Sequence, residues 1–305
     1  MSSHMGLAAD GDVLALDVGG TKLAAAVVDP AGNVRGAAQQ PTSADAPGDE
    51  LFESVAALLD DVLRVTGADP VAVGVGCGGP MTPGGATVSP LNIPSWRGFP
   101  LRDRLAAHTG LPTWVDNDAK ALALGEGWCG AAAGCRDYIA MVVSTGVGGG
   151  IVLDGRLLDG AAANAGHIGH MVVDPLGRRC PCGTRGCLEA ECSGTAIARI
   201  AGRPAAEAPK HVRIRTGRLV GRAVASVVAL LDLRLAVVAG SVALGFGSDF
   251  FDAAQAELDR CTNIEFARGA RIVPAGLGAL GPVVGAAAVA RRGAGLGALG
   301  GSDAG

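Results

Sequence analysis

Aromatic side chains are scarce in this 305-residue chain: they make up 3%, with a single tyrosine. A core with so few large rings has to be closed by Ala, Val and Leu at short range, and the 49 glycines supply many tight backbone turns. That favours an α/β arrangement over an all-β sandwich. Positive charge is sparse too. The formal net charge is −4 and no dense Lys/Arg block occurs, which removes the electrostatic footprint of a nucleic-acid binder and leaves a small molecule as the expected partner. No charged segment followed by an apolar run opens the chain, and Ser3-His4-Met5 resembles a cloning scar, so residues 1 to about 10 are set aside. The apolar stretch Ile272 to Ala290 has the length of a membrane span, but Pro274, Pro282 and several glycines break it into strand, loop and helix. The protein reads as cytoplasmic, without membrane contact.

Length allows two lobes, each with its own core. Eight cysteines are present, and three of them, Cys180, Cys182 and Cys187, crowd together, which in a cytosolic chain points to metal before disulfide. His170 precedes Cys180 with nine residues between them. One imidazole and three thiolates complete a tetrahedral zinc set with no position left for a catalytic water, so the site reads as structural. The bland alternative is a buried cysteine cluster without metal. The other cysteines lack ligand spacing and read as small core residues.

Along the chain, Val13 to Val18 and Leu23 to Val28 read as strands around the turn Gly19-Gly20-Thr21-Lys22. Leu51 to Val65 has helical spacing, Val71 to Val75 is a short strand, and a Gly/Pro-rich loop runs from Cys77 to Pro100. Leu101 to His108 reads as helix, Thr113 to Asp116 as strand, and Asp118 to Trp128 as a helix capped by Asn117 or Asp116. Ile139 to Val143, a glycine turn from Ser144 to Gly150, and Ile151 to Leu153 repeat the opening device, which suggests an internal duplication. Arg213 to Leu231 is a long helix leading to the strand Leu235 to Val238, and Pro282 opens a last helix ending near Arg292.

Glycine lets backbone N–H groups approach phosphate, yet neither glycine turn is a Walker loop or a dinucleotide fingerprint, because a strand follows each. Taken alone, each is an ordinary hairpin. As a pair, with Asp17 before one and Ser144-Thr145 opening the other, they favour a nucleotide held between two lobes. Asn117-Asp118 can aim a carboxylate from a strand-to-helix junction, or simply cap the helix. Asn92, Glu189, His167 and Lys22 are uninformative singly.

Together, Asp17-Val18-Gly19-Gly20-Thr21-Lys22, Asn117-Asp118-Ala119, Ser144 to Gly150 and the His170 to Glu189 segment resemble the ROK family of sugar kinases and repressors, over about residues 12 to 292. The resemblance implies an α/β, two-lobed actin-like fold of the sugar kinase and Hsp70 ATPase type, with a structural zinc loop. Residues 12–117 with the C-terminal helix 281–292 would form a small lobe, 118–280 a large lobe holding the zinc loop, and 293–305 a disordered tail. It further implies ATP with Mg²⁺ and sugar meeting in the cleft, and a homodimer or homotetramer. Asp118 resembles the family's general base, and Gly79, Asn92, Asn117, His167, His170 and Glu189 resemble its sugar ligands. Asp17, Gly19, Gly20, Thr21, Lys22, Thr145, Gly146 and Gly240 resemble its nucleotide-binding positions.

Three departures stand out. Lys120 replaces a neutral residue and puts a cation beside the base. The segment between Ala201 and Arg213 is short. His167 stands where family glucokinases have glutamate, as it does in bacterial N-acetylmannosamine kinases. The implied activity is phosphorylation of the 6-hydroxyl of a hexose or N-acyl hexosamine, N-acetylmannosamine first and glucose second. The rival readings are a non-catalytic sugar-binding module and a repressor. Repressors of this family carry a helix-turn-helix domain before the first glycine turn, and none is expected here.

Overall fold

The computed structural model describes residues 11–296, which fall into two compact units. The first runs to Gly134 and also takes in Asp159–Asn164 and the chain from Leu277 onward; the second is Cys135–Leu158 with Ala165–Gly276.

In the first unit, β1 (Val13–Val18), β2 (Lys22–Val28), β3 (Val34–Pro41), β4 (Ala72–Cys77) and β5 (Thr113–Asn117) form one sheet in the order β3-β2-β1-β4-β5. The β1–β2–β3 pairs are antiparallel, and β1, β4 and β5 run parallel. Both faces are covered. Leu14, Leu16 and Val18 point to one core with α1 (Gly48–Thr66) and α2 (Leu101–Thr109), while Val13 and Ala15 meet α9 (Gly281–Gly293) on the other. This is the period-2 alternation of a sheet buried on both sides. The helix α9 lies so close that a Cβ on Gly74 would sit 2.0 Å from the Ala286 carbonyl oxygen. α3 (Asp118–Cys129) crosses α9 at similar range, Gly285 against the Ala121 carbonyl and Gly125 against Gly285. That crossing places α3 in the first unit, so the division at residue 117 expected from sequence does not coincide with the unit boundary.

The second unit repeats the scheme with β6 (Tyr138–Val143), β7 (Val147–Leu153), β8 (Arg156–Leu157), β9 (Leu235–Ala239) and β10 (Arg271–Pro274), in the order β8-β7-β6-β9-β10. The antiparallel and parallel pairs fall in the same places as in the first sheet, which is the topology of a duplication. Around it lie α4 (Leu188–Cys192), α5 (Gly194–Ala201), α6 (Lys210–Leu231), α7 (Ser241–Phe246) and α8 (Ser248–Cys261). The short segment after Ala201 is a single turn, Ala205–Glu207, and the outer helices α6 and α8 are both present.

Three local expectations change. The run Gly148-Gly149-Gly150 belongs to β7 and not to the turn, which is confined to residues 144–146. β3 was missed because its residues are only partly buried and lack an apolar stripe. The long apolar stretch is β10 followed by α9, and among the described residues no helix is long and apolar enough to cross a membrane. Of the tail assigned to 293–305, Ala294 to Leu296 form a turn hydrogen-bonded to the end of α9, and the remainder lies outside the described residues.

In α6, Gly217 and Gly221 let α8 approach, since a Cβ on Gly221 would stand 2.2 Å from the Ala254 carbonyl oxygen. Gly221→Val should therefore destabilise the protein by about 1–3 kcal/mol through overpacking. Chemical denaturation of the two proteins, followed by circular dichroism, checks this.

Candidate active site and metal centre

The parallel strands of the first unit end in step. Asp17 pairs in register with Gly76, and Val18, Cys77 and Asn117 stand abreast, so the chain leaves β1, β4 and β5 at one edge of the sheet. Ligands of open α/β sheets gather beyond that edge. Asn117 caps α3 by accepting the Ala119 N–H on its side chain at 3.0 Å, and Asp118 is the first helical residue. Gly76 lies between these two acids: an added Cβ would stand 3.7 Å from both the Asp118 Cα and the Asp17 Oδ1, and 3.3 Å from the Ala121 Cβ.

The β1–β2 turn, Gly19 to Lys22, closes through a Gly19 N–H to Lys22 carbonyl bond at 3.0 Å and is held by the Thr42 hydroxyl on the Gly19 carbonyl at 2.7 Å. Gly20 packs on Asn92, whose Cβ would be 2.4 Å from an added Cβ, and a Cβ added to Gly79 would stand 3.6 Å from the Asn117 amide nitrogen. The loop carrying Asn92 is not slack. Val88, Ile93 and Trp96 are buried, the Trp96 indole stacks on Phe99 with centroids 4.5 Å apart, and its N–H donates to the Gly48 carbonyl at 3.0 Å. Asp17, Gly19, Gly20, Gly79, Asn92, Asn117 and Asp118 are thus brought together, while Thr21 and Lys22 are exposed at the turn.

Burial and the neighbouring Asp118 push the Asp17 carboxyl up to about 7, with Lys22 opposing. Burial likewise keeps the Cys77 thiol protonated. Lys120 does not behave as a stray cation. It is 2% exposed, and its ammonium donates to Asp159 Oδ1 at 2.8 Å and the Ala163 carbonyl at 3.2 Å, with Asp116 Oδ1 at 3.7 Å. Arg292 ties the same two acids from the other side, at 3.3 Å to Asp116 and 2.6 Å to Asp159.

In the second unit the β6–β7 turn is held by Glu189, whose Oε2 accepts the Val147 N–H at 3.0 Å and would meet a Cβ added to Gly146 at 3.0 Å. The Thr195 hydroxyl donates to the Thr145 carbonyl at 3.2 Å. Gly240, at φ 100°, leaves β9 against β6, where a Cβ would come within 2.3 Å of the Val143 carbonyl oxygen. The turn with His167 and His170 lies on β7 because Gly166 and Gly169 have no side chain: added Cβ atoms would meet the Gly149 and Val147 carbonyl oxygens at 2.2 Å. The two imidazoles are nearly parallel, 6.2 Å apart.

One donor atom from each of His170, Cys180, Cys182 and Cys187 lies within 4.8 Å of every other. The Cys180 sulfur is 3.7 Å from His170 Nδ1, and the Cys182 and Cys187 sulfurs are 3.6 Å apart. Zinc–sulfur bonds of about 2.3 Å in a tetrahedron separate the sulfurs by about 3.8 Å, so the four residues fit zinc in type and spacing. Gly186, at φ 71°, lies under the Asp174 carbonyl where no side chain fits. Sequence reasoning missed what anchors this loop. Glu191, fully buried, accepts the Arg178 N–H at 2.6 Å and binds the Arg178 and Arg215 guanidiniums at 2.7 and 2.5 Å. Burial works against its charge, but these donors hold it below the ordinary range. A groove of about 750 Å³ lined by α6 and α8 contains none of the residues singled out above.

Two sheets of one topology, each with a glycine turn between its first two strands, place the protein in the actin-like class of α/β folds. The chain belongs to the ROK family, whose model matches residues 13–293. It is 40% identical over 252 residues to an N-acetylmannosamine kinase of Citrobacter koseri, covering 77% of this chain and 84% of that protein. A ROK hexokinase from Thermus thermophilus superimposes with a TM-score of 0.81 at 34% identity, over 92% of this chain and 98% of the other. A ROK family glucokinase from Streptomyces griseus, solved in complex with glucose and AMPPNP, gives 0.81 at 30% identity, over 92% and 100%.

The raised Asp17 has a consequence for stability. Between its unfolded value near 3.8 and its folded value of about 7, the native state holds a proton that the unfolded chain has lost. Stability from this group is therefore present at low pH and falls as pH rises through that window, by on the order of 1 kcal/mol per pH unit. Asp17→Asn should be more stable than wild type at pH 8 and lose its advantage by about pH 4. Thermal melts of both proteins across this range measure it.

Proposed function

We propose that this chain is an ATP-dependent sugar kinase that transfers the γ-phosphate to the 6-hydroxyl of an N-acyl hexosamine, with N-acetylmannosamine as the preferred acceptor. The observation that carries this reading is the 40% identity to an N-acetylmannosamine kinase over most of both chains. AMPPNP in the Streptomyces griseus complex supports ATP as donor, and glucose in the same complex supports glucokinase activity as the second reading.

In this mechanism Asp118 accepts the proton of the 6-hydroxyl as that oxygen attacks the γ-phosphorus. Its place at the start of α3 is fixed by the Asn117 cap, and its Oδ1 accepts the Ala119 N–H at 2.9 Å. Phosphoryl transfer is mostly positioning and charge stabilisation. The backbone of Gly19 to Lys22, and that of Thr145 and Gly146, are the parts of each unit able to approach phosphate oxygens, with Gly240 at the adenosine. Asn92, Asn117, Gly79, His167, His170 and Glu189 are the sugar ligands in this reading. Asp17 offers a hard carboxylate oxygen that would suit Mg²⁺, which when bound would neutralise phosphate charge. His170, Cys180, Cys182 and Cys187 would hold zinc, whose contribution is to fix the loop ahead of Glu189.

Asp118→Asn keeps shape and removes basicity, so kcat should fall by roughly 10²-fold or more in a folded protein. Steady-state kinetics with wild-type turnover would sink the assignment. Purified protein should carry about one zinc, bound by three sulfurs and one nitrogen, and its removal should weaken sugar binding before the chain unfolds. X-ray absorption and metal analysis test this, an oxygen-rich shell or absent zinc counting against it. His167 offers one donor and one acceptor where a glutamate would present a fixed anion to two hydroxyls. The ratio of kcat/KM for N-acetylmannosamine to that for glucose should exceed one in wild type and drop about tenfold or more in His167→Glu. A wild type that prefers glucose, with a ratio unmoved by the substitution, refutes His167 as selector.

A further inference from the structure

We propose that Lys120 is a positioning residue: it clamps the segment Asp159–Asn164, the strap that leads into the turn bearing His167, and so sets the affinity for sugar. This rests on the reading of the chain as a sugar kinase.

The strap leaves β8 and belongs to the first unit, unlike the chain on either side of it. Its tie is electrostatic. Asp159 receives both the Lys120 ammonium at 2.8 Å and the Arg292 guanidinium at 2.6 Å; burial works against its charge, and these two cations hold it below the ordinary carboxylate range. A lysine that is 2% exposed is unfavourable unless its donors are used, and here one goes to Asp159 and another to the Ala163 carbonyl.

Ala163 supplies the second, independent observation. Its φ is 60°, a left-handed conformation that is unfavourable for alanine and persists where the surroundings enforce it. The carbonyl of this strained residue is the one Lys120 grips, and Asn164 adds a bond from its side chain to the Ala162 carbonyl at 2.7 Å. Four residues beyond Ala163 comes His167. Without the clamp, Ala163 keeps only the long bond from its N–H to the Gly160 carbonyl, at 3.4 Å, and the direction in which the chain enters Gly166 is loosened. Asp116, partly buried with its Oδ1 3.7 Å from the Lys120 ammonium, is the residue before Asn117 and joins this network to the end of β5. Lys120 thus links the end of β5, next to the base, to the strap that leads into the turn of the selector.

The test uses the full-length protein and steady-state kinetics with ATP and N-acetylmannosamine or glucose, whichever wild type turns over. Lys120→Met should raise KM for the sugar roughly tenfold or more, with kcat and the KM for ATP within about twofold of wild type. Asp159→Asn, at the more exposed end of the ion pair, serves if Lys120→Met fails to fold, and should show the same split. The double variant should be no worse than either single one. Ala163→Gly, which has no penalty at positive φ, should recover part of the lost affinity in the Lys120→Met background. Unchanged sugar KM in both single variants overturns the proposal, as does a fall in kcat at constant KM, which would place Lys120 on the base instead. A wild type without kinase activity on any hexose or hexosamine refutes the kinase reading itself, a separate result.

Discussion

Backbone packed directly on backbone is the constraint from which the rest of this structure follows. With few aromatics to span gaps, elements must close to the distance at which only glycine and alanine fit. Gly74 under α9, Gly285 against α3 and Gly221 against α8 are the same solution in three places. The functional residues inherit their spacing from it. Gly76 leaves room between Asp17 and Asp118, Gly20 admits Asn92, and Gly166 and Gly169 lay the His167 turn on β7. A methyl group at most of these sites would collide with a carbonyl oxygen, which cannot move without shifting its strand or helix.

This explains what could be read from the sequence. The strands flanking each glycine turn, the helix after Asn117 and the set of one histidine and three cysteines are local patterns, with spacing that states the chemistry, and they lie where expected. The glycine run at 148–150 was misread because a turn and a strand that another segment must touch call for the same residue. Only tertiary contact tells them apart. The Asp116 and Lys120 pair has helical i,i+4 spacing and could have been noticed, but the role of Lys120 depends on Asp159 and Arg292, far away in sequence. Glu191 was hidden for the same reason: its partner Arg215 lies on α6.

Two charge clusters, each built on one buried member, Glu191 or Lys120, differ from surface ion pairs in what they can do. Exposed pairs such as Arg64 with Asp61 contribute little. Glu191 and the Asp159 network instead immobilise loops that have no sheet or helix of their own, the zinc segment in one case and the strap in the other. Removing one member leaves an uncompensated charge and a loop without its anchor, so these sites tolerate substitution poorly even where they touch no ligand.

The chain order of the first unit has a consequence during synthesis. Its five strands are complete by Asn117, yet the sheet face formed by Val13, Ala15, Ala24, Ala26 and Ala72 waits for α9, which starts at Gly281. The second unit lies almost wholly between these points. On the ribosome, where domains fold as they emerge, the second unit can finish first while the earlier-made sheet still shows an apolar face. Any nascent chain cut short before Gly281 keeps that face exposed for good, giving chaperones and proteases a direct mark of incomplete synthesis.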